Sequence, residues 1–235
     1  MTIPKHLSEL MTILNDRGFI HQCSDLVRLD QQAHEGIITA YSGFDATADS
    51  LHIGHLVPIM MLRWMQKLGH RPIVLIGGGT TKVGDPSGKD KTRKILDQAT
   101  INKNIAAIKG TFDKFIRFDN AKKDGIFIDN SEWLDALSYI PFIRDIGSHF
   151  TINRMLTMDS VKLRLQREQP LTFLEFNYMI LQSFDFIELN KRYDCNLQIG
   201  GSDQWGNIVN GVELIKRRSN NHVYGLTTPL ITLAS

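Results

Sequence analysis

A short β-branched run, Gly36-Ile37-Ile38-Thr39-Ala40, is separated by residues 41–55 from an almost wholly apolar stretch, Leu56 to Leu68, that closes at Gly69. The run has the pattern of a buried strand and the apolar stretch that of a buried helix with a glycine stop. Pro72-Ile73-Val74-Leu75-Ile76 is a second run of strand type. Strand, helix and strand within about 40 residues make a βαβ unit with a right-handed crossover. Such a unit commits the chain to a parallel sheet covered by helices. It also places residues 41–55 at the carboxyl edge of that sheet, where ligands bind. Among them, His52-Ile53-Gly54-His55 sets two imidazoles three apart at a helix start. Free N–H groups and the positive dipole end attract anions there, and Gly54 lets a phosphate or sugar approach the backbone. Imidazole can donate to phosphate oxygens whose charge changes during a displacement. Taken alone, the same four residues would equally serve as a surface helix cap.

The rest of the chain supplies further crossings and helices. Residues 5–17 carry Leu7, Leu10, Met11 and Leu14 at helical spacing and stop at Gly18, which predicts an amphipathic helix. Phe19 to Glu35 reads as a polar connector with one helical turn. Residues 77–94 hold too much Gly and Pro for a regular element, and set Asp85 among five cations. They form either a solvated loop or a mobile one whose Lys89 and Arg93 reach a polyphosphate while Asp85 holds a cationic group. An amphipathic helix is predicted over 100–117 (Ile101, Ile105, Ile108, Phe112, Phe115), then a strand over Ile126–Ile128.

Several short helices follow from Ser131 to Arg167, rich in Trp133, Leu137, Tyr139, Phe142, Ile143, Ile146 and Phe150. Apolar surface of that size is either an internal cluster or is buried against a partner. Thr172-Phe173-Leu174-Glu175 is a capping box opening a long helix to about Lys191, apolar nearly all round, Phe173 and Leu174 included. One polar stripe interrupts it: Tyr178, Gln182 and Asp185 fall at i, i+4 and i+7 on one face. Burying such groups unpaired costs about 2 kcal/mol or more each, so they belong to an internal network or to a ligand. Cys195 to Ile199 reads as a fourth strand running through Gly200-Gly201-Ser202-Asp203-Gln204-Trp205-Gly206-Asn207 into a helix to about Arg218. Asp203 is placed there to accept from sugar hydroxyls. Leu230 to Ala234 looks like a last strand.

The string from Tyr41 to His55 resembles the HIGH-motif segment of class I aminoacyl-tRNA synthetases. Its first part, Tyr-x-Gly-Phe-Asp-x-Thr-Ala-x-Ser-Leu, narrows the resemblance to tyrosyl-tRNA synthetases of the bacterial or organellar type. Gly84-Asp85-Pro86-Ser87-Gly88 is similar to a loop of the same family. Tyr178, Gln182 and Asp185 match its tyrosine-binding helix, and residues 200–207 match it at every position. Four letters depart from the pattern: Ser42 where Cys is frequent, Ala46 where Pro is frequent, and Thr81-Lys82 where small and apolar residues are usual.

The resemblance implies an α/β fold, a Rossmann-type parallel sheet flanked by helices, with an inserted helical connective segment over about 112–167 through which the family dimerises. Residues 1–235 would form the catalytic domain, with the Lys-rich KMSKS loop and the C-terminal tRNA-binding domains absent from this chain and the fragment weakly active or inactive. The implied reaction activates L-tyrosine with ATP and passes the tyrosyl group to tRNA(Tyr). By the same resemblance Thr47, His52, His55, Lys89 and Arg93 are catalytic. Tyr41, Asp85, Tyr178, Gln182, Asp185, Gln198 and Gln204 bind tyrosine, Asp85, Tyr178 and Gln182 at the α-ammonium and Tyr41 and Asp185 at the phenol. Ser42, Gly43, Asp45, Gly54, Gly201 and Asp203 bind ATP, and His55, Ser42 and Asp203 touch its ribose. Mg²⁺ accompanies ATP with no protein cage and no tightly bound cofactor.

A net charge of +2 with 22% charged residues is no nucleic-acid footprint, so RNA contact is local or comes from sequence outside this chain. Cys23 and Cys195 are isolated, and no apolar run approaches about 18 residues or has a signal-peptide layout. A reduced, cytoplasmic protein without membrane contact is expected, and a matrix protein freed of its presequence fits the same facts. Three rivals stand beside the tyrosyl reading. A tryptophanyl or other class I synthetase gives no reason for Tyr41 with Asp185. Another nucleotidyltransferase would not share the 178–185 stripe or residues 200–207. The third is a non-catalytic dimerising or RNA-binding module derived from a synthetase.

Overall fold

The chain forms a six-stranded sheet in the order β1–β6–β5–β2–β3–β4. The strands are Gln22–Cys23 (β1), Thr39–Phe44 (β2), Arg71–Ile76 (β3), Ile126–Asp129 (β4), Leu197–Gly201 (β5) and Tyr224–Thr228 (β6). This computed structural model describes residues 6–87, 95–119, 123–219 and 221–232. β2 lies parallel to β3 and β5, β3 to β4, and β5 to β6. The parallel sheet expected from the βαβ pattern, of the Rossmann type that the resemblance implies, is therefore present, with one amendment. β1 pairs antiparallel with β6 at the edge, which makes the sheet mixed. From β2 the chain moves outward to β3 and β4 on one side and later to β5 and β6 on the other. The order thus reverses beside β2, the switch point that opens a crevice at the carboxyl ends of β2 and β5.

Strand alternation sorts the core into two layers. Ala40, Phe44, Val74 and Ile76 face helices Glu9–Asp16, Leu26–Glu35, Ile53–Lys67 and Gln98–Phe112, packing with Leu14, Leu29, Met61, Leu62, Ile101 and Phe112. Tyr41, Ile73 and Leu75 face the opposite way, onto Phe186 and Leu189 of helix Tyr178–Tyr193 and Ile215 of helix Trp205–Ser219. Tyr41 therefore shares its layer with the helix that carries Tyr178, Gln182 and Asp185.

Several expectations need correction. Residues 19–35 are not a connector: Asp25 caps a ten-residue helix by accepting from Arg28 N, and its Leu29 and Ala33 are buried. The first helix starts at Glu9 on a Ser8 cap, leaving Leu7 63% exposed. The opening strand runs over 39–44 rather than 36–40. The helix opened by the Thr172 capping box breaks at Asn177, whose side-chain amide donates to Phe173 O, and restarts at Tyr178. Phe173 and Leu174, on that detached first turn, are exposed. No strand begins at Leu230; the last described strand is Tyr224–Thr228, and residues 233–235 lie outside the described set.

The short helices occupy 131–166, so β4 and helix Gln98–Phe112, inside the expected 112–167 boundary or next to it, belong to the sheet and its covering layer. Part of their aromatic surface is internal: Trp133 and Ile146 are buried, and Phe142 and Phe150 pack on Met155, Met179 and Leu214. Tyr139, Ile140, Ile152 and Leu165 remain exposed.

Candidate active site at the carboxyl edge of the sheet

A cavity of about 550 Å³ opens at the switch point between β2 and β5. Every described residue singled out from the sequence lines it: Tyr41, Ser42, Gly43, Asp45, Thr47, His52, Gly54, His55, Asp85, Tyr178, Gln182, Asp185, Gln198, Gly201, Asp203 and Gln204. Lys89 and Arg93 lie outside the described residues. Leu51, Pro58 and Leu230 line the same space, which is walled by polar groups at one end and partly by apolar ones at the other.

The blind end is built by three elements. Tyr41 projects from the middle of β2, where it stands in register with Gln198 of β5 and packs its ring on Phe186 at 5.3 Å. Asp185 comes from the facing helix. Its Oδ1 accepts from Trp133 Nε1 at 2.7 Å and its Oδ2 from Asn130 Nδ2 at 2.9 Å. Burial nevertheless pushes the Asp185 carboxyl up to about 8, against those two donors, with the Asp45 and Asp129 charges adding to the rise. Burial first, and the Asp185 charge second, hold the Tyr41 phenol well above its usual range, so it stays a neutral O–H. That hydroxyl is buried and has no hydrogen-bond partner among the described residues; the same is true of Gln198 Oε1. A buried polar atom is rarely left so in a finished core. Here both residues line the cavity that Asp185 also lines.

The middle of the cavity carries two more carboxylates. Asp45, at the end of β2, accepts from Thr80 Oγ1 at 2.7 Å and from Tyr178 OH at 3.0 Å. Thr80 Oγ1 in turn accepts from Asn130 Nδ2, so one chain of hydrogen bonds runs from Tyr178 through Asp45, Thr80 and Asn130 to Asp185. Asp85 accepts from Ser87 N at 2.9 Å and Gln204 Nε2 at 2.8 Å, and burial pushes its carboxyl above the usual range. Asn207 Nδ2 donates to Gln182 Oε1 at 3.1 Å and Gln204 Oε1 at 3.2 Å, tying the stripe of helix Tyr178–Tyr193 to the crossing after β5.

At the open end, the helix from Ile53 is capped by imidazoles. His52 Nδ1 accepts from Gly54 N at 3.1 Å and His55 Nδ1 accepts from His52 N at 3.2 Å. The rings stack with centroids 3.7 Å apart. A Cβ on residue 54 would meet the His52 ring at 2.9 Å, which is why glycine stands between them. A nitrogen that accepts a backbone N–H carries no proton, so in both rings Nε2 is the nitrogen left to donate. Burial, helped by His52, pushes the His55 imidazole down to about 4, keeping it neutral.

Sequence reasoning assigned no site role to Thr80, Asn130, Trp133 or Asn207. Thr80 and Asn130 come after strand ends, Trp133 lies in the short helix after β4, and Asn207 closes the string 200–207; only the fold brings each to the group it holds. Two of the unusual letters find partners. Thr81 Oγ1 accepts from Ala46 N at 2.9 Å, and Lys82 Nζ donates to both Asp135 oxygens at 2.7 Å. Nothing in the structure explains Ser42.

A largely parallel α/β sheet with donors around a helix start at its switch point, and polar groups lining the cavity beside them, is the Rossmann-type arrangement of the α/β class. The comparisons with known proteins narrow that class. A family model described as tRNA synthetases class I (W and Y) matches residues 33–235. The tyrosine–tRNA ligase of Xanthobacter autotrophicus is 61% identical over 235 residues, covering 100% of this chain and 56% of that one. The tyrosine–tRNA ligase of Nitrobacter winogradskyi is 60% identical over 228 residues, 97% of this chain and 55% of that one. Among solved structures, a C-terminally truncated mitochondrial tyrosyl-tRNA synthetase of Aspergillus nidulans superposes with a TM-score of 0.88 at 31% identity, over 95% of this chain and 69% of that one. The chain belongs to the class I tRNA synthetase family of the tryptophanyl and tyrosyl type. It spans about half the length of the curated relatives it matches.

Proposed function

We propose that this chain is the catalytic portion of a tyrosine–tRNA ligase, residues 1–235 forming its active-site domain. One observation carries the reading: the Tyr41 hydroxyl, without a hydrogen-bond partner among the described residues, and Asp185 line the same cavity as His52 and His55. A phenolic hydroxyl entering beside Tyr41 and Asp185 would pair with both. A substrate lacking that hydroxyl leaves them unpaired, which supports strong rejection of phenylalanine, a discrimination for which tyrosyl-tRNA synthetases are already the established example.

In the proposed reaction the tyrosine carboxylate attacks the α-phosphorus of ATP, forming an acyl–phosphate bond as the bond to pyrophosphate breaks. A terminal ribose hydroxyl of tRNA(Tyr) then attacks the acyl carbon and releases AMP. The carboxylate is already a nucleophile, so positioning and charge stabilisation supply the catalysis. Asp85, Tyr178 and Gln182 would hold the α-ammonium, oriented by Gln204 and backed by Gln198. Thr47, His52 and the Nε2–H of His55 would donate to phosphate or ribose oxygens, with Lys89 and Arg93 on the polyphosphate. Ser42, Gly43, Asp45, Gly54, Gly201 and Asp203 would line the nucleotide, Asp203 accepting from the ribose. Among the described residues no three His, Cys, Asp or Glu side chains converge as metal ligands. Mg²⁺ would enter on the ATP phosphates, where it would neutralise charge.

Exposed Tyr139, Ile140, Ile152 and Leu165 on the short-helix segment support a homodimer through that surface. No helix among the described residues is long and apolar enough to cross a membrane, and a cytoplasmic setting is proposed with the function. The test is isothermal titration of the full-length protein with tyrosine, phenylalanine and tryptophan, followed by amino-acid-dependent pyrophosphate exchange. Tyrosine binding alone, with tyrosine-dependent exchange, is expected. Tryptophan-dependent exchange would move the chain to the sister enzyme, and no exchange with any of the three would leave a non-catalytic module.

A further inference from the structure

Behind the cavity wall, the backbone of Ala46 is gripped at both of its polar atoms. Its N–H donates to Thr81 Oγ1 at 2.9 Å and its carbonyl accepts from Asn104 Nδ2 at 2.8 Å. All three residues are buried, and none lines the cavity. One residue earlier, the Asp45 carboxylate takes the Thr80 hydroxyl. Adjacent threonines after β3 therefore fix adjacent residues after β2, Thr80 by the side chain of 45 and Thr81 by the backbone of 46. From that anchor the chain runs as irregular, exposed residues 47–50 to His52, and Thr47, Ala48, Ser50 and Leu51 line the cavity on the way.

We infer that Thr81 and Asn104 are positioning residues for the nucleotide half of the site, and that positions 46 and 81 form one coupled pair. The inference rests on the function proposed above. Its physics is an accounting of one donor: a buried N–H needs an acceptor, and Thr81 supplies it here. A proline at 46 would have no N–H and would need none. The unusual Ala46 and the unusual Thr81 are then a single departure. Losing the Thr81 hydroxyl frees the anchor from which Thr47 and His52 are presented, while Asp185 keeps its Trp133 and Asn130 donors and Asp45 keeps the Thr80 and Tyr178 hydroxyls.

The test uses the full-length protein with Thr81→Val, Thr81→Ser, Asn104→Ala, Ala46→Pro and the Ala46→Pro/Thr81→Val pair. Thr81→Val and Asn104→Ala are expected to raise the KM for ATP about tenfold, the worth of one buried hydrogen bond, with the KM for tyrosine within about twofold of the parent. Thr81→Ser should stay near the parent, and Ala46→Pro should restore most of what Thr81→Val loses. Amide hydrogen exchange at Ala46 should quicken about tenfold in Thr81→Val and not in Thr81→Ser. Equal rises in both KM values, or Thr81→Val matching Thr81→Ser, would overturn the inference; so would a folded double variant no better than Thr81→Val. Should the double variant fail to fold, the valine–serine contrast decides. A parent protein without tyrosine-dependent exchange would sink the proposed function instead, and Ala46 amide protection would still report whether 46 and 81 are coupled.

Discussion

Trp133 Nε1 donates to Asp185 Oδ1 at 2.7 Å, and on its outer side the same indole lies under the Arg192 guanidinium, 5.0 Å from the ring centre. The short-helix segment thus reaches the floor of the proposed tyrosine slot through one ring. Trp133→Phe keeps an aromatic surface for Arg192 and removes the donor, leaving Asn130 to hold the carboxyl group. The tyrosine dissociation constant should rise about tenfold, the worth of one buried hydrogen bond, with ATP unaffected. Titration calorimetry with each ligand checks the split. Asp185→Ala should lose more tyrosine affinity still, and an equal loss for ATP would contradict the assignment.

The Asp185 carboxyl, pushed up to about 8, gives stability a defined pH dependence. In the unfolded chain the group ionises near its ordinary 3.8; in the folded chain it keeps its proton until about 8. Between those values the native state binds the extra proton, so this group's contribution to stability is full below about pH 4, falls as pH rises, and is flat again above about 8. Asp85, also raised by burial, acts with the same sign. Asp185→Asn cannot titrate and should flatten most of the decline between pH 5 and 8 in urea unfolding. An unchanged slope in that variant would place the proton elsewhere.

The elements that positioned the site were legible because their signals are local. Continuous β-branched apolar runs marked β3 and, a few residues early, β2; the capping box Thr172–Glu175 marked the turn before the long helix, and the i, i+4, i+7 stripe marked one face. What escaped depends on distant partners. β6 contains Gly225, which weakens a strand pattern; the glycine is needed because a Cβ there would run into Ile208 of helix Trp205–Ser219. β1 is two residues long and exists only because Thr227 and Leu226 lie beside it. The helix over 26–35 carries many polar residues, with a narrow buried stripe, so composition hid its cap at Asp25. Asn130 and Trp133 hold Asp185 across more than fifty positions of sequence, a separation at which spacing carries no information.

The stacked imidazoles predict an effect confined to the nucleotide. Both Nδ1 atoms accept backbone N–H groups, so His52→Ala removes a helix cap and the Nε2 donor together, whereas His52→Asn can restore the cap. In the alanine variant kcat for pyrophosphate exchange should fall about 100-fold, the scale for one donor to developing charge, with tyrosine affinity within about twofold. Because the His55 imidazole is pushed down to about 4, it is neutral from pH 6 to 9 and the KM for ATP should be flat over that range on its account. Its stability contribution has the sign of a depressed base: present above about 6.5 and lost as pH falls toward 4.

Glu175 joins the short helices to the substrate helix. Its Oε1 lies 3.6 Å from Arg164 Nη2, with both side chains almost fully buried, and its Oε2 accepts from Thr172 N and Oγ1. Arg164, near the end of helix Asp159–Gln166, also donates to Pro170 O. One carboxylate therefore closes the first turn that leads to Tyr178 and fastens the segment preceding it. Removing a single member of a buried pair takes a compensating charge from the other, and Glu175→Ala should cost about 3–5 kcal/mol in urea unfolding. Replacing both, as Arg164→Met with Glu175→Leu, removes both buried charges and should cost less than the single change, though the cap is still lost. Because the disturbance enters one turn before Tyr178, the double variant should weaken tyrosine binding several-fold while the ATP side, built on β2 and the His52 helix, holds its affinity. A double variant less stable than Glu175→Ala would mean that packing around the pair, rather than its charge balance, sets the stability of this junction.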